Sequence, residues 1–315
     1  MKNKFCDVQN ITINNKNLNQ RIDNFLSLKL KKVPKSFIYR ILRKGEVRVN
    51  KKRIKPFYKL TIGDVVRIPP SYFFKENKKI SLIKKNRIDF LNKIILYEDD
   101  FIIALNKPSG IAVHGGSGIN FGVIEALRAL RPNFSFLELV HRLDKDTSGV
   151  LLIAKKRSTL RSLHDQLRNK HVKKDYLTLV YGIWPSNLNI IKVPLVKKIS
   201  KYGKFMVCAD TNGKISETHF QVKEYFKYST LMKVNPITGH THQIRVHALH
   251  AGHPILYDKR YGNDLSDDNF MITELNRLFL HACSITFIHP QTKKSMCIKA
   301  PLDELLQRCL FNLRN

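Results

Sequence analysis

The chain has 315 residues, with 56 Lys and Arg against 25 Asp and Glu, a formal charge of +31. A field that strong implies a polyanionic partner bound in a salt-sensitive way, with a Lys-, Asn- and Ile-rich codon bias as the alternative source of the charge. The length suffices for two or three domains. The five cysteines (Cys6, Cys208, Cys283, Cys297 and Cys309) are odd in number and form no CxxC pair, which excludes a disulfide framework and a zinc knuckle. No apolar run is long enough to cross a membrane, and Met1 to Asp7 lack the apolar core of a signal peptide, so the expected location is the cytoplasm.

Residues 1–17 read as an N-terminal extension and 18–70 as a small basic module. From Asn19 to Arg43, apolar residues recur at helical spacing: Ile22, Phe25, Leu26, then Phe37, Ile38, Ile41 and Leu42. Pro34 divides the two helices and is placed to begin the second. Gly45 stops that helix, Val47 and Val49 alternate with Arg48 as a short strand, and Asn50-Lys51 and Gly63-Asp64 are turns before Val65, Val66 and Ile68. Basic side chains surround the second helix and its turn, among them Arg40, Arg43, Lys44 and Lys52. Such a face follows RNA by shape and phosphate with little base reading; a plain solvated helix face is the other reading. The segments Arg21–Leu26 and Ile41–Asn50, closed by Gly63-Asp64, resemble the S4 RNA-binding domain, although Lys51 stands where that family usually has Gly.

Residues 71–90 read as a linker and 91–315 as the catalytic domain. Ile94–Tyr97 and Phe101–Leu105 are expected strands, the second broken by Asn106-Lys107-Pro108. Val113–Gly118 is a Gly-rich loop, either a tight turn or a phosphate contact, without the Gly-Lys-Ser/Thr ending of a P-loop. Val123–Leu130 is a helix ended by Pro132. Val150–Ala154 is a buried strand, and Ser158 is placed to cap a helix through Leu160, Leu163 and Leu167. Tyr176–Gly182 is a strand, as are 205–209, 217–224, 229–234 and 283–288. The mixture is α+β, with no regular βα repeat: a small S4-like α/β module followed by a catalytic domain on a mixed, largely antiparallel sheet.

The densest chemistry lies in His141-Arg142-Leu143-Asp144-Lys145-Asp146-Thr147-Ser148-Gly149, just before the buried strand. An enclosed, oriented carboxylate can attack an electrophilic carbon, provided that cations or donors keep it ionised. Asp144 is the candidate, with Arg142 and Arg245 as its cations; a structural cap or surface acid is the alternative. In Thr238–His247, Gly239 allows a turn and Thr241 is placed to cap a helix through about His250. Arg245 on that helix is expected to aim its fork at Asp144, or else to grip phosphate. Tyr176 can stack on a base and pass a proton, or simply fill the core. The histidines 240, 242, 247, 250 and 253 lack the acid or cysteine partners of a zinc site.

Asn106–Gly110, Ala112–Gly118, Glu138–Lys156, Lys174–Tyr176 with Val180 and Gly182, Gly239–His247 and His281-Ala282 resemble the RluA-type family of RNA pseudouridine synthases. His-Arg-Leu-Asp followed by Asp-Thr-Ser-Gly is highly specific; the S4 pattern alone is not. The resemblance implies an isomerase that detaches uracil from N1 and reattaches it through C5, acting in 23S ribosomal RNA on a flipped uridine. It implies Asp144 as the essential carboxylate, Tyr176 as the base contact and proposed proton acceptor, and Arg245 as the partner of the aspartate. Arg142 then helps hold the flipped nucleotide or replaces it in the stack, with Lys145 and His240 in RNA contact. It implies no metal or organic cofactor, large-subunit RNA or a pre-ribosomal particle as partner, no obligate protein partner, and a monomer. Carboxylate attack at C6 of uracil and glycosidic cleavage with proton loss at C2′ both remain open. Two positions depart from the family: Lys145 replaces a common Arg, losing a bidentate fork, and His240 replaces another, making a permanent cation titratable. The alternatives are action on a different 23S stem-loop, or a non-catalytic S4-containing ribosome-assembly factor.

Overall fold

In a computed structural model, residues 8–30, 35–69, 90–115, 122–199, 205–262 and 273–315 are described. The chain divides into two compact units, Met1–Lys84 and Lys85–Asn315.

The first unit comprises β1 (Gln9–Thr12), α1 (Ile22–Lys29), α2 (Lys35–Lys44), β2 (Arg48–Val49) and β3 (Val65–Ile68). Its sheet has the order β1-β3-β2, all antiparallel. Ile22, Phe25 and Leu26 of α1 meet Ile38, Ile41 and Leu42 of α2 in one buried cluster with Val49 and Val66, the residues that helical spacing and strand alternation select. Gly45, at φ +71°, ends α2. Pro34 lies outside the described residues. Strand β1 falls inside the stretch read as an extension, and its pairing with β3 makes residues 9–12 part of the module's sheet. The Asn50-Lys51 turn has φ of +48° and +65°, so Lys51 holds a left-handed conformation that costs a non-glycine residue roughly 1–2 kcal/mol. Asn50 helps offset this: its amide donates to Asp64 Oδ1 at 2.8 Å and its oxygen accepts from the Val65 N–H at 2.8 Å.

The second unit opens with α3 (Phe90–Lys93), β4 (Ile95–Glu98), β5 (Ile102–Lys107) and α4 (Val123–Leu130). It continues with β6 (Glu138–Leu139), β7 (Ser148–Ala154), α5 (Arg157–Arg168), β8 (Lys173–Tyr181) and β9 (Ile190–Lys192). Then come β10 (Leu195–Ile199), β11 (Phe205–Ala209), β12 (Glu217–Tyr225), β13 (Ser229–Pro236) and α6 (Gln243–His250). β14 (Leu280–Ile288), β15 (Ser295–Lys299) and α7 (Glu304–Arg314) complete it. The main sheet runs β4-β5-β7-β14-β8-β13-β12-β9, with β15 on β14 and β6 on β7. Among the described residues only β7 and β14 pair in parallel, so the sheet is mixed and largely antiparallel, while β10 and β11 form a separate ribbon.

All seven residues of β7 are buried, as its unbroken apolar run requires of a central strand. Helix α5 packs Leu163 against Ile102, Val150 and Leu152, and α7 packs Leu306 and Leu310 near Leu179 and Phe279. Three sequence expectations need correction. β5 does not break at Asn106 but runs to Lys107, because both residues pair with the start of β7. Ser158 is inside α5 rather than its cap; Lys156 stands there without a side-chain cap. Helix α6 starts at Gln243, after His242 in the left-handed conformation, not from a Thr241 cap.

Gly149 is the tightest point of the fold near the site. It has φ +110°, and a Cβ there would stand 2.2 Å from the Ala282 carbonyl on β14. Gly149→Ala is expected to cost about 3 kcal/mol or more, from backbone strain and overpacking together. A thermal melt checks this, and an unchanged midpoint would mean that the β7–β14 contact yields freely.

Candidate active site

The loop between β6 and β7 is anchored along its length. His141 Nε2 accepts the Leu152 N–H at 3.2 Å, and burial, assisted by Lys174, pushes its pKa down to about 4, so the ring is a neutral acceptor. The loop carbonyl of Lys145 accepts from the Gly110 N–H at 2.9 Å and from Lys107 Nζ at 3.1 Å. Lys107, wholly buried, also donates to the carbonyls of Pro108 and Ile111; burial pushes its pKa down to about 7 while Asp146 pulls it up. Ser109 Oγ donates to the Asp146 carbonyl at 2.7 Å. At the far end, Ser148 Oγ lies 2.8 Å from His281 Nδ1 and accepts from Arg277 at 3.1 Å. A backbone pinned on both sides presents its side chain in a narrow range of positions.

That side chain is Asp144, in an open cleft of about 1160 Å³ lined also by Arg142, Tyr176, His240, His242 and Arg245. Its Oδ2 is 3.6 Å from Arg245 Nη1 and 3.7 Å from His242 Nε2. The fork of Arg245 is not on Asp144, as expected, but on Asp258: Nε and Nη2 donate to its two oxygens at 2.7 and 2.6 Å. Asp258 Oδ1 also accepts the N–H groups of Arg260 and Tyr261. Burial lowers the Arg245 pKa, and the Asp258 bonds and charge more than reverse this. Asp258 thus fixes the guanidinium and leaves its third nitrogen facing Asp144.

Tyr176 is buried within β8, and burial, with the Asp144 charge adding, raises its pKa above the ordinary phenol value. Arg142 is exposed on the cleft rim. The His240 ring engages the Ile215 carbonyl at 3.0 Å, which occupies one of its nitrogens. The Lys145 side chain is exposed and outside the cleft lining, while its backbone carbonyl anchors the loop. Arg40, Arg43, Lys44 and Lys52 belong to the N-terminal unit, where all four are exposed.

The described part of the Gly-rich loop is already served by an anion. Glu125 Oε2 accepts the N–H groups of Gly115 and Gly122 at 3.1 and 3.0 Å; Gly116 and Gly118 lie outside the described residues. Burial lowers the pKa of Lys174, another cleft residue. Among the described residues no three of His, Cys, Asp and Glu converge as a metal would require, and no helix is long and apolar enough to cross a membrane. His247 instead sits buried with Ser216 Oγ and the Val193 carbonyl. Sequence reading gave no role to Asp258 or Tyr261, only hydrogen bonding or packing to His242, and only a place in the strand break to Lys107. Lys107 carried a signal, a lysine closing a buried strand; Asp258 carried none, being one acid in a turn-rich segment.

Residues 101–250 match the family described as RNA pseudouridylate synthase, and residues 20–66 match the S4 domain. The chain is 58% identical over 314 residues to "Ribosomal large subunit pseudouridine synthase C" of Yersinia pestis, covering 100% of this chain and 98% of that protein. It is 56% identical over 317 residues to the protein of the same name in Escherichia coli K12, covering 100% and 99%. Among solved structures it is similar to "Human RNA Pseudouridylate Synthase Domain Containing 4", with a TM-score of 0.61, 25% identity and coverage of 73% of this chain and 96% of that one.

Proposed function

Because this chain belongs to the RNA pseudouridylate synthase family and carries an S4 domain, we propose that it isomerises selected uridines of 23S ribosomal RNA to pseudouridine with Asp144 as the catalytic carboxylate. The chain is an enzyme, an isomerase acting within one nucleotide: the N1–C1′ bond breaks, a C5–C1′ bond forms, C5 loses its proton and N1 gains one. The observation that carries the assignment is a carboxylate on a pinned loop, in an open cleft, facing a fixed guanidinium. The base must leave its stack to reach such a cleft, at a cost that falls in loops and junctions. Arg142 on the rim is placed to hold the displaced nucleotide, and His240 to line its path. The proposed place of action is the cytoplasm, where ribosomes are the substrate. Mapping pseudouridine in 23S RNA from cells with and without the gene tests this: specific sites should disappear, and an unchanged RNA would overturn the reading. Loss at a different set of large-subunit positions would reassign the target but not the chemistry.

Tyr176→Phe keeps an aromatic wall and removes only the hydroxyl. We expect kcat to fall roughly 10²-fold, the lower end for a lost proton-handling group, with KM nearly unchanged. Equal losses in binding and rate would make Tyr176 a binding residue alone.

The N-terminal unit is proposed as the RNA anchor, through Arg40, Arg43, Lys44 and Lys52. Deleting residues 1–84 should leave the second unit folded, since each unit has its own buried core, and should weaken binding to large rRNA fragments. Each lost phosphate contact lowers the log–log salt slope by about 0.7–0.9. An unchanged slope would show that the anchor lies elsewhere.

A further inference from the structure

We infer that His242 is a positioning residue for Asp144, held by Tyr261 in the tautomer that points an N–H at Oδ2 and so orients the carboxylate for the substrate. This rests on Asp144 being the catalytic carboxylate.

The starting point is the backbone. His242 has φ +55°, a conformation that non-glycine side chains adopt at a cost and that persists where its surroundings enforce it. It directly precedes α6, and there the ring spans two partners. Nδ1 lies 2.7 Å from the Tyr261 hydroxyl, and Nε2 lies 3.7 Å from Asp144 Oδ2. The Tyr261 oxygen already accepts the Val207 N–H from β11 at 3.1 Å. Its own O–H is then free to donate to Nδ1, which makes Nδ1 an acceptor and puts the ring proton on Nε2, facing the carboxylate.

Burial favours the neutral ring. Burial lowers the His242 pKa, Asp144 and Asp258 act to raise it, and Arg245 and Arg260 act to lower it, with a net lowering. Tyr261 also supports the second group on Oδ2, since the Arg245 guanidinium stands over its ring at 5.0 Å. Two groups therefore converge on one oxygen of Asp144. A carboxylate flanked at one oxygen by a guanidinium and an imidazole, at 3.6 and 3.7 Å, is oriented as well as stabilised, and orientation of the reacting group is worth large factors in rate.

The test measures kcat and KM by release of tritium from C5-labelled uridine in an rRNA fragment. His242→Asn tolerates the left-handed backbone but is too short to reach Asp144. We expect kcat to fall about 10²-fold, with KM within about threefold. His242→Gln restores an N–H near the Nε2 position and should recover about tenfold of that loss. Tyr261→Phe should lower kcat about tenfold alone and have no further effect on top of His242→Asn, because it acts through that ring. Wild-type kcat in His242→Asn, equal losses for Asn and Gln, or an additive effect of Tyr261→Phe would overturn the inference. So would a change confined to KM or to the melting temperature. Asp144→Asn, run alongside, separates the two readings: near-normal turnover there would mean that the carboxylate assignment itself has failed.

Discussion

Asp144→Asn is expected to lower the rate of isomerisation by about 10⁴-fold or more, the scale on which a reacting group is lost, while RNA affinity stays close to that of the wild type. The amide keeps the shape of the carboxylate. Its oxygen can still face Arg245 Nη1 and His242 Nε2, which stand 3.6 and 3.7 Å from Oδ2, so the loop has no reason to move. What disappears is the negative charge that the reaction draws on. Binding draws on a chain of net charge +31, in which one fewer acid matters little. Rate by tritium release and affinity by filter binding, on the same RNA, check the two halves. Turnover near wild type would remove Asp144 from the mechanism.

Arg245→Lys should do more harm than charge counting suggests, because three nitrogens of this arginine are in use. Nε and Nη2 grip Asp258, whose side chain is fully buried, and Nη1 faces Asp144. A lysine ammonium cannot fork onto one carboxylate and also present a fixed donor to a second. We expect kcat to fall about 10²-fold through misplacement of Asp144. A comparable loss is expected in Asp258→Asn, which leaves Arg245 drawn towards Asp144 in a direct pair. Breaking a buried pair by removing one partner costs about 3–5 kcal/mol, so Asp258→Ala should also melt markedly lower. Wild-type activity in Arg245→Lys would show that its third nitrogen does not position Asp144; a normal melting temperature in Asp258→Ala would show that the fork carries no stability.

The expected fork from Arg245 to Asp144 was half right. The residues do meet, but the fork belongs to Asp258, which lies 13 positions further along the chain. Two acids compete for one guanidinium, and the buried one with backbone donors around it wins the bidentate geometry. Nothing in the linear order of Arg245 and Asp258 distinguishes that outcome. Likewise, the loop's hold on Lys107 passes through the Lys145 carbonyl, a backbone role that no side-chain pattern announces.

What the sequence by itself determined is whatever depends on neighbours in the chain. The helical spacing of Ile22 to Leu42, the stop at Gly45, the unbroken apolar run of β7 and the His-Arg-Leu-Asp loop before it are local patterns, set by backbone sterics and by the need to bury one face. The +31 charge needs no fold at all to announce a polyanion. Only the tertiary structure decided the parallel pairing of β7 with β14, which brings Ala282 against Gly149, and the convergence of Arg245 and His242 on one oxygen of Asp144. Those contacts join segments about a hundred residues or more apart in the chain. Their partners are selected by packing and by the cost of leaving a buried charge unpaired, neither of which has a period that a sequence can display.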